Sequence, residues 1–357
     1  MTLTIFIPSK NRPALLRRAI KFWSKYEFNI LIVDGSDKSQ YKWVKKFISE
    51  KFVYIHKKSS FPVQLGIAAN SIQTKYCILS SDDCYYIPSA LRQCVHFLDQ
   101  NPEYAAVHGR AINFIPNRNK IRYSLDAYQN WLGRELIEDN AKDRLVKHMG
   151  NYSCNLTFAV ARSTPWKESA LIYSKNEMPL YAQSELQLNM ILSFMGKSTC
   201  FQRIMLIISS GESNAIRNNV PSLSYSNMIW NFWSNNENFL KDKWLKVMTN
   251  SIYKILPQKI SKAEISAAIV LAVQAYCLKA KKNGLIIDKN LNLFLKLRKK
   301  LSNLIVHYFK KSLKKLKFYT FTTDPEKFYK KLENEGILID KKEFAEVVSS
   351  IKEFHKS

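Results

Sequence analysis

Residues 3–36 read LTIFIPSKNRPALLRRAIKFWSKYEFNILIVDGS, and their pattern decides the fold. An apolar run over 3–7 is closed by Pro8. Apolar residues then recur at Leu15, Leu16, Ala19, Ile20 and Trp23, the spacing of a helix with one buried side. A second apolar run over 29–33 stops at the turn-forming triplet Asp34-Gly35-Ser36. Strand, helix and strand in so short a stretch, with strands apolar throughout rather than alternating, mark a parallel unit covered on both faces.

The same rhythm continues. Residues 41–52 carry a helical stripe of Trp43, Val44, Phe47 and Ile48; 52–55 read as a strand, 63–72 as a helix, and 76–79 as a strand running into Ser80-Ser81-Asp82-Asp83. A helix over 88–98 ends near Asn101-Pro102, and 105–108 form a fifth strand. The expected fold class is α/β: a Rossmann-like, mostly parallel sheet with helices on both faces, followed by an all-α C-terminal region. Ligands of such sheets lie beyond the carboxyl ends of the strands. Residues 113–150 are more polar and read as a loop with a helix over 132–149. A returning strand over 156–160, a helix over 184–194 stopped by Gly196, and a last strand over 205–209 follow. Beyond 215 the signal changes to long amphipathic helices, which divides the chain into an α/β domain, 1–215, and a helical, basic domain, 216–357.

The chain has 357 residues, 46% of them hydrophobic and 13% aromatic, which excludes a wholly disordered protein. Fifty-five Lys and Arg against 29 Asp and Glu give a formal charge of +26. Such a surplus points to a polyanionic partner, nucleic acid or the anionic face of a membrane. Six cysteines without CxxC spacing indicate neither a zinc module nor a disulfide framework, hence a reduced, cytoplasmic protein. No signal peptide is expected, because the chain enters a strand at once. The longest apolar stretch, 265–276, reads as too short to cross a bilayer, so any membrane contact is expected to be peripheral, on the inner membrane. Residues 289–317 hold ten Lys and Arg and no Asp or Glu, with Phe294, Leu297, Leu301, Leu304, Ile305 and Tyr308 at helical spacing. Such a helix suits anionic lipid, each Lys adding about 1 kcal/mol, or packs its apolar side on neighbours and leaves the basic side solvated.

Carboxylates stand at strand ends, where ligands bind. They are Asp34, the pair Asp82-Asp83, and Glu185 at the start of a later helix. Two adjacent carboxylates in a basic chain are a natural seat for a hard divalent cation, Mg or Mn; turn formation and helix capping are the bland alternative. Lys10 and Arg12, with Lys57 and Lys58, place cations near the same edge. His108 and His148 are candidates for a base or a metal ligand but read more naturally as structural. Trp131, Trp166 and Tyr152 offer aromatic faces for an acceptor or simply belong to the core.

These motifs together resemble the family 2-type glycosyltransferases with the GT-A fold. The opening strand and polar turn are Leu3-Thr4-Ile5-Phe6-Ile7-Pro8-Ser9-Lys10-Asn11-Arg12; the second strand ends in Ile32-Val33-Asp34-Gly35-Ser36. A Gly and an Asn on the helix before the metal motif match Gly66 and Asn70, and the metal motif falls within Leu79-Ser80-Ser81-Asp82-Asp83 with Pro88 beyond. The resemblance implies a nucleotide-sugar donor and a glycan or lipid-linked acceptor, such as an intermediate of a surface polysaccharide, with inversion at the sugar. It implies nucleotide binding by Pro8, Lys10, Asn11, Arg12, Asp34, Gly66, Asn70, Ser81 and Asp82, a divalent cation on Asp83 and Asp82, and Glu185 as catalytic base. The sequence departs from the family's Asp-x-Asp, whose first carboxylate is replaced by Ser80 or Ser81, and Ala68-Ala69 stand where a basic residue often precedes the Asn. Two rivals remain. A nucleic-acid-binding protein is disfavoured because the basic residues accompany no recognition module, and a sugar nucleotidyltransferase because no Gly-rich loop follows the first strand.

Overall fold

The computed structural model describes residues 2–117, 120–124, 134–175, 182–209, 229–230, 232–233, 239–256, 260–283 and 322–356. Nine strands form one sheet in the order β3-β2-β1-β4-β8-β6-β9-β5, with β7 added on β6. In chain order they are β1 (Leu3–Ser9), β2 (Asn29–Asp34), β3 (Phe52–His56), β4 (Tyr76–Leu79), β5 (Cys84–Tyr86), β6 (Tyr104–Asn117), β7 (Lys120–Ser124), β8 (Val160–Arg162) and β9 (Lys197–Ser209). The first four pair in parallel in the register Ile5↔Ile30, Ile5↔Ile78 and Ile32↔Tyr54. That half is the parallel unit expected from the opening residues.

The rest corrects the expectation of a mostly parallel sheet. Strand β8 runs antiparallel to both β4 and β6, β5 antiparallel to β9, and β7 antiparallel to β6, while β6 and β9 are parallel. Strands β5 and β7 went unread because Cys84-Tyr85-Tyr86 is short and Lys120–Ser124 alternates polar with apolar, the signature of an antiparallel ribbon. The stretch 156–160 is a 3-10 turn, Cys154–Phe158, leading into β8.

Helices α1 (Pro13–Trp23), α2 (Tyr41–Val44), α3 (Phe61–Ser71) and α4 (Pro88–Gln100) fall where the periodicity puts them, except that α2 is one turn continued by a 3-10 segment. They are followed by α5 (Ala141–Gly150), α6 (Ser163–Lys175) and α7 (Ala182–Met195). Helix α6 was not read from the sequence; Pro165 sits in its first turn, where a missing N–H costs nothing. Alternate residues of the apolar strands serve opposite faces. Ile5, Ile7, Ile30 and Ile32 pack with α1 and α4, whereas Phe6, Leu31 and Val33 pack with α3 and α6.

The helices beyond residue 238 are α8 (Phe239–Ile255), α9 (Lys262–Lys282), α10 (Pro325–Asn334) and α11 (Lys341–Lys356). Helices α8 and α9 share a core with α5 and α7 through Met248, Ile265, Ile269, Met149 and Met190. Helices α10 and α11 join the core of the first sheet face through Phe328, Leu332, Phe344, Val347 and Ile351. Glu343 on α11 accepts the Ser89 N–H at 2.7 Å and Arg92 Nη2 at 2.6 Å, so it caps α4 from outside its own chain segment. Arg18, buried on α1, lies 4.7 Å over Phe354. The proposed division at 215 therefore separates elements that share apolar cores.

Helix α9 corrects the reading of 265–276. It runs 21 residues, Lys262–Lys282, and by length and composition alone it is long and apolar enough to cross a membrane. Its Ile265, Ile269, Ala272 and Val273 nevertheless pack on α5 and α8. The basic stretch 289–317 lies outside the described residues. No disulfide joins the six cysteines.

Because Phe344 is 1% exposed within the core of the first sheet face, Phe344→Ala should cost about 3–5 kcal/mol of stability. Urea unfolding followed by Trp23 fluorescence on α1 should report that loss in one transition. An unchanged Trp23 transition would show that α11 does not contribute to this core.

Candidate active site

Parallel pairing of β1 with β2 and β4 brings three carboxyl ends side by side. After β1 the chain turns at Asn11, whose φ of 55° lies in the left-handed region that Asn tolerates better than most residues. Asn11 donates its backbone N–H to Ser36 Oγ at 2.7 Å, and its side chain exchanges hydrogen bonds with Asp37 at 3.0 and 3.1 Å. That clasp ties the loops after β1 and β2 together and aims Arg12, the residue before α1, at the end of β4.

Arg12 spans the acidic pair. Its Nη1 lies 2.8 Å from Asp82 Oδ1 and its Nη2 lies 2.8 Å from Asp83 Oδ2. Ser9 Oγ donates to the other Asp82 oxygen at 2.8 Å, while Ser81 Oγ and the Cys84 thiol donate to Asp83 Oδ1. Both carboxylates are buried. Burial pushes Asp82 up to about 6 against the pull of Arg12; in Asp83 the same burial is outweighed by Arg12 and the Ser81 hydroxyl, and its carboxyl lies below the usual range.

A cavity of about 460 Å³ opens beside this cluster. Pro8, Ser9, Lys10 and Arg12 from the end of β1, and Ser80, Ser81 and Asp82 from the end of β4, form one wall. Phe61, Gln64 and Leu65 of α3, Trp166, Ser169 and Tyr173 of α6, and Glu185 and Leu188 of α7 complete the lining. Gln64 donates to the Ser9 carbonyl at 2.8 Å and fills the space over Gly35, where any Cβ would stand 2.3 Å from its amide nitrogen.

Glu185, in the first turn of α7, accepts the Tyr152 hydroxyl at 2.6 Å. Burial raises its pKa, and the Tyr152 hydrogen bond, which favours the charged form, opposes the rise. A carboxylate whose pKa is raised by burial is a stronger base than an exposed one and suits proton transfer.

The structure thus brings Pro8, Lys10, Arg12, Ser81, Asp82 and Glu185 to one cavity, with Asp83 directly behind Arg12. Other expected residues stand elsewhere. Asp34 is fully buried, its oxygens accepting Tyr54 Oη at 2.6 Å and the Ser36 N–H at 3.0 Å, and it does not line the cavity. Gly66 faces Ser174 of α6, where a Cβ would meet its side chain at 2.7 Å, so it sets the α3–α6 approach; Asn70 is exposed one turn farther on. Lys58 pairs with Asp37 on the surface. His108 and His148 are buried away from the cavity, and burial pushes them down to about 4 and about 3, which leaves both neutral at pH 7. Of the aromatic candidates Trp166 lines the cavity, Tyr152 hydrogen-bonds Glu185, and Trp131 lies outside the described residues. Ser9 and Gln64 carry contacts that the motifs did not single out; both are ordinary polar residues whose role appears only when β1, α3 and β4 are side by side.

Among the described residues no group of three or more His, Cys, Asp or Glu is placed to hold a metal ion. Asp82 and Asp83 nonetheless fit a divalent cation in part. They offer hard oxygen donors, and a guanidinium already sits between them as a stand-in charge. Mg²⁺ commonly takes only one or two protein carboxylates and fills its remaining positions with substrate phosphate and water.

The sequence model of glycosyl transferase family 2 matches residues 4–161, from β1 to β8. A comparison with curated proteins finds no match. Among solved structures, TarS 1-349 from S. aureus is similar at 12% identity and a TM-score of 0.46, covering 80% of this chain and 92% of that one. The same TarS fragment in complex with UDP-GlcNAc gives 10% identity and 0.47, with the same coverage, and in complex with UDP 11% and 0.42. At such scores the likeness does not extend to substrate or residue roles. The family match, which covers less than half of the chain, falls on the strands that carry the acidic pair at the end of β4: residues 4–161 are similar to glycosyl transferase family 2.

Proposed function

We propose that the cavity binds a nucleotide-activated sugar and transfers the sugar, with inversion, to a hydroxyl of a glycan or lipid-linked acceptor. The observation that carries this reading is that Lys10, Arg12, Asp82 and Glu185 line a single cavity. Lys10 and Arg12 would face the donor phosphates, and the loops that Asn11 clasps would hold the nucleoside, with Asp34 stiffening the second loop. The apolar wall of Leu65, Trp166 and Tyr173 would exclude water from the sugar. Glu185 would take the proton of the acceptor hydroxyl as its oxygen bonds to the anomeric carbon and the bond from that carbon to the donor phosphate breaks, releasing the nucleotide.

Asp83 and Asp82 would hold a divalent cation, Mn or Mg, which when bound supplies positive charge to the leaving phosphate. The chain's own part is to bury those carboxylates and orient them through Ser9 and Ser81. The surplus of basic residues favours an acceptor presented at an anionic inner-membrane surface, with the protein cytoplasmic and peripheral.

Glu185→Gln should lower kcat by about 10²- to 10⁴-fold, the usual contribution of a general base, with nucleotide affinity unchanged. The acid limb of the wild-type rate profile should lie above the ordinary Glu range, because Glu185 must be deprotonated and burial raises its pKa. Tyr152→Phe removes a hydrogen bond to the charged form, so that limb should move to higher pH; a profile that stays in place would remove Glu185 from the base role. For the acidic pair, Asp83→Ala should abolish Mn-dependent thermal stabilisation by nucleoside diphosphates while leaving circular dichroism unchanged, and retained stabilisation would remove Asp83 from cation binding.

A further inference from the structure

We propose that Arg12 is the resident counterion of the cation seat: it occupies Asp82 and Asp83 until a divalent cation and a diphosphate arrive together and displace it. The inference rests on the reading above in which those aspartates hold the cation. The geometry is that of a fork across two acceptors, one nitrogen 2.8 Å from each carboxylate. Ser9 holds the second Asp82 oxygen, and Ser81 and Cys84 the second Asp83 oxygen, while the buried Asp82 Oδ1 has the Arg12 ion pair but no hydrogen bond among the described residues.

A metal ion bonded to these oxygens would stand against the guanidinium, and two cations at contact distance in a site whose carboxylates are 1% and 5% exposed repel strongly. Arg12 must therefore move for the cation to enter. It has somewhere to go only if an anion lies in the cavity, which Arg12 and Lys10 both line. A diphosphate suits a released guanidinium, whose planar donors match phosphate oxygens. The same diphosphate completes the coordination that two carboxylates leave unfilled. Cation and diphosphate thus each create the site of the other, and by linkage each raises the affinity of the other by one shared factor.

The test is Mn²⁺ titration of the full chain, followed by electron paramagnetic resonance of free Mn²⁺, with and without inorganic pyrophosphate. Wild-type protein should bind Mn²⁺ weakly alone and at least about tenfold more tightly with pyrophosphate. Arg12→Gln should bind Mn²⁺ alone about tenfold to a hundredfold more tightly than wild type, the range set by losing a competing hydrogen bond to a charged group, and should respond less to pyrophosphate. Adding Asp83→Asn to Arg12→Gln should abolish the gain. Should Arg12→Gln not fold by circular dichroism, Arg12→Lys serves, since a point charge without the fork should give an intermediate gain.

Mn²⁺ affinity no higher in Arg12→Gln than in wild type overturns the proposal. If wild-type binding then still depends on Asp83, the cation reading survives and only the role of Arg12 falls. If no variant binds Mn²⁺ with or without pyrophosphate, the cation reading falls and the proposal falls with it.

Discussion

The ion pair of Arg12 with Asp82 and Asp83 is the contact on which the site depends, and it exists only because β1 lies between β2 and β4. Parallel pairing sets the ends of these strands level, the Asn11 turn points Arg12 across the β1–β4 boundary, and the apolar strands bury the result. A pair of adjacent carboxylates at this depth would be costly without a countercharge. Arg12 meets that need inside the chain, and its remaining surface faces the cavity.

The rest of the fold shapes the cavity around that cluster. Helix α3 contributes Gln64, which links the loops after β1 and β2, and Gly66, which lets α6 approach closely enough for Trp166 and Tyr173 to form the apolar wall. Helix α7 brings Glu185 to the same cavity, held by the hydroxyl of Tyr152 from the segment before β8. Helices α8 and α9 pack behind α5 and α7, and α10 and α11 behind α1 and α4. Helices α8 to α11 thus support both sides of the sheet.

The parallel half was legible because its strands are apolar on both sides and its helices have a clear period, from Leu3 to Leu98. The antiparallel half was not. Strand β8 has three residues, β7 alternates polar and apolar, and β6 continues far past His108 through register shifts at Gly109 and Arg110, so local pattern marks the start of β6, places β8 a few residues early and leaves β7 unmarked. The site divides in the same way. Arg12, Asp34, Asp82, Asp83 and Glu185 stand out by position at strand and helix ends, whereas Ser81, Gly66 and Asn70 come from the family resemblance; in the structure Asp34 is held within its loop, Gly66 lies at the α3–α6 contact and Asn70 is exposed. Ser9 and Gln64 bear no distinctive chemistry in sequence; their roles arise from contacts between residues 55 and 73 positions apart.

The central claim is that the ends of β1 and β4 and helix α7 enclose an activated sugar, and the most direct measurement is a crystal structure of the protein soaked with Mn²⁺ and each nucleoside diphosphate in turn. The account predicts a diphosphate between Lys10, Arg12 and Asp82, with the open end of the nucleotide directed at Glu185. A nucleotide bound elsewhere, or a cavity that none of them enters, would contradict it.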